Sequence, residues 1–147
     1  MTAFLTTVEQ NAYLNARYTG GASISNTALY IGLSTASPGS AGSMTNEPTS
    51  TGGYARVSVG ATGTTIFGSA TTGVLTNSNA AITFPSSTAA WSTGATPLTY
   101  WFIADSQTIG AGTVKSYGQL TAANTVNSAT LSPSFLVSQL TLDSSGW

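Results

Sequence analysis

The sequence predicts a mainly β protein: an antiparallel β-sandwich or jelly roll of seven to eight strands, preceded by one N-terminal α-helix. Three observations predict it. Apolar residues recur with period two through most of the chain after residue 27, as half-buried strands require. These runs are short and separated by Gly, Ser, Asn and Pro clusters, the punctuation of an antiparallel fold. Finally, 147 residues, 41% of them hydrophobic and carrying a net charge of −1, can bury one core without a single cysteine. The chain reads as one domain over 1–147: a helix over 2–20, a sandwich over 27–142 with a long loop at 34–53, and a tail over 143–147.

Each element has its own signal. Thr6-Thr7-Val8-Glu9 forms a capping box, in which a hydroxyl caps the first turn and Glu9 reaches back toward it. The acid also suits the positive helix end. Val8, Ala12 and Asn15 lie on one side, with Leu14 and Tyr18 nearby, giving a modest apolar stripe, and Gly20-Gly21 ends the helix. Phe4 and Leu5, ahead of the cap, are expected to staple onto the first turns or dock on a neighbour. Residues 27–33 alternate Leu29, Ile31 and Leu33; residues 54–59 place Ala55, Val57 and Val59 inward and Arg56 and Ser58 outward. Residues 64–67 and 73–76 form a weaker hairpin, and residues 80–84 alternate until Pro85 stops them. Residues 98–104 are apolar on both faces, which predicts a central strand covered from both sides, with Tyr100 and Trp101 opposed. Residues 113–120 and 134–142 complete the set, the last alternating Leu136, Ser138, Leu140 and Leu142.

Residues 34–53 have no periodicity, and an irregular stretch of this length inside a domain is commonly functional. It is expected to be an exposed arm that orders against a neighbouring subunit. A second long loop, 86–97, carries Trp91.

Composition then excludes most chemistry. There is no histidine and no cysteine, and charged residues make up 5% of the chain. A serine triad lacks its imidazole base, and no acidic loop of calcium-binding spacing occurs. The four acids, Glu9, Glu47, Asp105 and Asp143, have local explanations as cap, ion-pair partner of Arg56, and turn residues. Neither a catalytic centre, a cofactor site nor a metal site is therefore expected. Three scattered cations, Arg17, Arg56 and Lys115, cannot make a phosphate-binding or anionic-membrane footprint, so neither nucleic acid nor membrane is an expected partner. The N-terminus has no signal-peptide pattern. A charge-poor, Ser/Thr/Gly-rich chain with no export address fits a component made in the host cytoplasm and assembled into a virion.

The segment Ala28-Leu29-Tyr30-Ile31-Gly32-Leu33-Ser34-Thr35-Ala36, with Pro38-Gly39, Asn46-Glu47-Pro48 and Gly52-Gly53-Tyr54-Ala55-Arg56-Val57, resembles a family of small tailed-phage virion structural proteins. The resemblance continues through Thr76-Asn77, Ile82-Thr83-Phe84-Pro85, Ala89-Ala90-Trp91 and Tyr117-Gly118-Gln119-Leu120, covering about residue 8 to Asp143. It implies a non-enzymatic structural protein on the outer surface of the particle. The main expectation is a capsid cement or decoration protein bridging neighbouring subunits, with the major capsid protein and copies of itself as partners. A tail or tail-fibre subunit that recognises a host glycan, and a free carbohydrate-binding module, are the alternatives. Candidate contact residues are Phe4, Leu5, Tyr18, Glu47, Arg56, Trp91 and Trp147, the aromatics because large rigid rings anchor protein interfaces.

Overall fold

The computed structural model describes residues 3–20, 28–60 and 66–143. Its organising element is β6 (Leu98–Ala104), the middle strand of a five-stranded antiparallel sheet ordered β1-β7-β6-β2-β3. The partners are β1 (Ala3–Leu5), β7 (Val114–Asn124), β2 (Leu29–Ser34) and β3 (Val57–Gly60). β6 is central because it is apolar on both faces. Leu98, Trp101 and Ile103 join the main core, while Phe102 and Ala104 join Val114 in a smaller one on the opposite side. Leu33 lies opposite Trp101 and Gly32 opposite Phe102. A Cβ on Gly32 would sit 2.4 Å from the Phe102 ring, so that ring can lie down on β2 only because the position is glycine.

The main core is closed by two small antiparallel sheets. β4 (Val74–Thr76) pairs with β9 (Thr141–Asp143), and β5 (Ile82–Thr83) pairs with β8 (Ser134–Phe135). The result is mainly β with one helix, α1 (Thr7–Tyr18), near the N-terminus, in line with the sandwich expectation. It has nine strands among the described residues rather than seven or eight.

Several expectations are corrected. The helix spans less than 2–20, because residues 3–5 form an edge strand with Phe4 opposite Tyr117, their rings 5.6 Å apart. The first half of the capping box forms: Thr6 Oγ1 accepts from the Glu9 N–H at 3.4 Å. Its second half does not, because the Thr6 N–H donates to the Lys115 carbonyl. Gly20 adopts φ 71° after the helix, whereas Gly21 lies outside the described residues. Thr27 and the first residues of the expected 64–67 arm also lie outside them; the described part of that hairpin is joined by the Gly68 N–H donating to the Thr76 carbonyl and by a Thr71–Val74 bridge, while β4 pairs on with β9.

Residues 134–142 are not one strand. The fully buried Asn77 turns the chain there: its side-chain amide donates to the Ala80 and Leu136 carbonyls and its Oδ1 accepts from the Leu140 N–H. Ser138 takes φ 65° to make that turn, and Leu136 is left exposed. The 34–53 stretch is exposed along much of its length but is anchored to the body at a few points. Pro38, Glu47 and Pro48 within it are buried, and it leads directly into buried Tyr54 and Arg56.

Candidate functional site

Two places concentrate the chemistry-bearing residues, and they differ in kind. The first is a buried charge network that pins the 35–56 segment to the sheet. Arg56 and Glu47 form a two-pronged ion pair, with Arg56 Nε 2.7 Å from Glu47 Oε1 and Nη2 2.7 Å from Oε2. Two further donors saturate the carboxylate: the Tyr54 hydroxyl at 3.0 Å and the Gly110 N–H at 2.9 Å. Arg56 Nη1 donates to the Ser106 and Ala111 carbonyls, and the guanidinium lies over the Phe102 ring, 5.1 Å from its centre. The Tyr54 hydroxyl in turn accepts from the Leu33 N–H. Burial, and then the Glu47 carboxylate, push the Tyr54 phenol well above its ordinary range, so it stays a neutral donor. Among the described residues no buried side-chain polar atom lacks a partner.

Glu47 and Arg56 are therefore paired, as their sequence reading allowed, but the expectation that Arg56 points outward is corrected. The side chains of the pair are 0% and 1% exposed, so neither reaches a neighbour's surface. Trp91 is also buried. It packs edge-on against Tyr54 at 5.3 Å, and its indole N–H donates to the Gly52 carbonyl at 2.7 Å. Gly52 (φ 79°) is pressed so closely on the Ala89 carbonyl that a Cβ there would lie 2.7 Å from it. Trp91 thus clamps the 86–97 loop to the 51–53 turn and offers no exposed ring for a sugar or a partner.

The second place is the N-terminal surface. No residue of α1 is buried. Phe4, Val8, Tyr13, Leu14 and Tyr18 are all exposed, and Tyr18 is 76% accessible. A twelve-residue helix is marginal alone and normally gains its stability by burying a face. Here the Thr6 cap and Lys115 hold it. The Thr6 hydroxyl donates to the Val114 carbonyl at 2.7 Å, and Lys115 Nζ lies 3.5 Å from Glu9 and 3.3 Å from Asp105. Partial burial pulls the Asp105 carboxyl upward, but the Thr113 N–H and Lys115 outweigh it and leave it below the ordinary value.

Of the candidate contact residues, Phe4 and Tyr18 are exposed and Leu5 is partly covered. Trp147 lies outside the described residues. Val8, Tyr13 and Leu14, within the N-terminal segment up to Tyr18 on which contacts are expected, are exposed as well. Beside the helix, an apolar crevice of about 360 Å³ opens between β1 and the β4–β9 sheet, with Phe4, Tyr13, Leu75 and Leu142 in its walls.

No helix among the described residues is long and apolar enough to cross a membrane. No curated protein matches the chain. A family model does: residues 4–143 match that of Gp80, described as podophage GP4 fiber I protein gp80. The match takes in both the buried network and the open helix, and by it the chain belongs to the Gp80 family of podophage fibre proteins, a phage structural family.

Proposed function

We propose that this protein is a non-enzymatic structural subunit of a podophage tail fibre, held in the virion by contacts with other virion proteins and with copies of itself. The observation that carries this reading is the fibre-family match over residues 4–143. It favours the fibre over the capsid-cement role that the sequence alone put first. Support for the non-enzymatic part comes from the acids. Glu47 is saturated by four donors, while Glu9 and Asp105 share Lys115. Such groups brace a fold rather than move protons. Support for a contact role comes from the crowding of large exposed apolar side chains into the first eighteen residues.

The test is to count and locate the chain in purified particles, by quantitative mass spectrometry and gold-labelled antibody. The expected result is a small copy number with label on the tail. Hundreds of copies with label over the head would return the assignment to capsid cement.

A second reading, recognition of a neutral host glycan, draws on a different feature. A cleft of about 390 Å³ has Phe84 and Phe135 in its lining together with Thr121, Asn124, Ser134 and Gln139. No charged residue lines it, and amides and hydroxyls are the groups that pair with sugar hydroxyls. Saturable binding of a host polysaccharide to the purified chain, lost in Asn124→Ala/Gln139→Ala, is the result that would favour it.

A further inference from the structure

Independently of the fibre-subunit reading, we propose that Met44 is an oxidation-sensitive latch on the buried charge network. Peroxide converts its thioether to a sulfoxide and so withdraws one acceptor from Arg56. The donors of Arg56 motivate this. A guanidinium has five N–H groups, and in a buried residue each needs an acceptor. Four of them meet oxygen: Nε and Nη2 donate to Glu47, and Nη1 donates to the Ser106 and Ala111 carbonyls. The fifth, on Nη2, meets the Met44 sulfur at 2.9 Å. That sulfur is the only one among the described residues, in a chain without cysteine.

The chemistry belongs to the thioether. A sulfur lone pair attacks hydrogen peroxide and breaks its O–O bond; one oxygen is transferred to sulfur and the other leaves as water. Sulfur is oxidised and the peroxide is reduced. An oxygen on the lone pair that faces Arg56 does not fit inside a 2.9 Å N···S contact. An oxygen on the other lone pair leaves an electron-poor sulfur against a cation. In either case the fifth donor loses its acceptor, and a buried donor without one is costly. The polar sulfoxide is also unsuited to the apolar cluster of Phe102, Ala104 and Val114 on which Met44 packs.

Placement makes Met44 reachable and its loss consequential. The residue is half-buried and flanked by exposed Ser43 and Thr45, whereas the ion pair behind it is closed to solvent. A small oxidant therefore meets the network first at Met44. The Met44 carbonyl accepts from the Glu47 N–H at 3.1 Å, so a shift there pulls on the backbone that carries the carboxylate. The same loop seats α1. The Ser40 carbonyl accepts from the Thr7 N–H, and a Cβ on Gly42 would lie 3.1 Å from the Val114 side chain and 3.3 Å from that of Thr6. Met44 thus stands between the buried network and the seat of the exposed helix.

The experiment treats the folded full chain with hydrogen peroxide and follows it by peptide mass spectrometry, thermal melting and hydrogen exchange. Met44 is expected to gain one oxygen while the chain stays folded. The melting temperature is expected to fall by about 3–4 °C, the shift that one lost buried hydrogen bond gives in a domain of this size. The peptide spanning residues 40–47 is expected to lose exchange protection. Met44→Leu still carries Met1 and, whatever its own melting temperature, should show no further fall on treatment. A Met44 that stays reduced while an unstructured methionine peptide in the same tube is oxidised overturns the proposal. So does an oxidised chain that melts and exchanges like the reduced one. A Met44→Leu chain that loses as much on treatment as the wild type overturns it too, by placing the damage elsewhere.

Discussion

The 35–56 segment and helix α1 invert what their sequences advertise. The segment is aperiodic up to residue 53 and rich in Gly, Ser, Thr and Pro, yet it carries a fully partnered buried ion pair: Glu47 with four donors, Arg56 with its carboxylate and two carbonyls. The helix is the most regular local signal in the chain, yet none of its residues is buried. Regular secondary structure meets its backbone demands internally, so it can stand out from the body on little more than a cap. An irregular segment must find partners for its backbone and for any charge it carries, which draws it onto the body. In these two regions the irregular segment anchors buried groups and the regular helix stays exposed.

The largest test of that contrast removes one half of the buried pair. Arg56→Met strands the Glu47 carboxylate, and Glu47→Gln strands the guanidinium. Each is expected to cost about 3–5 kcal/mol in urea unfolding, since an uncompensated buried charge is the dominant penalty. The double variant Glu47→Gln/Arg56→Met should be markedly less destabilised than the sum of the two. Simple addition of the single effects would mean that the two side chains act independently, against the geometry.

That pair also shows how far the sequence could be read. Glu47 and Arg56 are among only seven charged residues, so their pairing was legible from scarcity. Their burial was not, because a charge within an alternating run reads as its solvent side, and the alternation itself fails ahead of β3. β6 was legible because both of its faces are apolar, a pattern with one simple solution. β8 and β9 were not, because Leu136, Leu140 and Leu142 keep a period of two across a turn that Asn77 imposes from a distant part of the chain. The cap on α1 was legible because it is local. The role of the helix surface needed the fold, since only a core already filled by other elements shows that Leu14 and Tyr18 have no work inside.

On the network's own side of the sheet, Gly32→Ala sharpens the comparison at a smaller scale. The added methyl meets the Phe102 ring head-on, and that ring supports the Arg56 guanidinium. A cost of about 1–3 kcal/mol is expected from overpacking. A thermal melt unchanged from wild type would mean that the ring can slide aside freely and that the network does not depend on it.

Tyr54 joins the segment to the core, and it predicts a pH signature. Its phenol is held neutral in the fold, with its folded value above the unfolded one of about 10. The stability that follows is fully present below pH ~10 and is lost as pH rises beyond it, because only the unfolded chain readily gives up the proton. Tyr54→Phe should cost about 1–2 kcal/mol at neutral pH, through the Leu33 N–H left without its acceptor, and should flatten the alkaline limb. An alkaline limb identical to wild type would assign that limb to other groups.

The smallest expected effect on stability is the most informative about function. Leu14→Glu and Val8→Glu alter large exposed side chains on a helix with no buried residue, so unfolding free energies should move by no more than about 0.5 kcal/mol. Incorporation into particles, measured by competition with the wild-type chain during assembly, should fall far more than so small a change in folding can explain. If stability drops with incorporation, α1 is a structural brace whose packing exposure conceals. If stability holds while incorporation falls, the helix is exposed because its partner is another protein chain. That outcome follows from the physics of the contrast: an exposed face that adds little to its own fold is free to be shaped by what it binds.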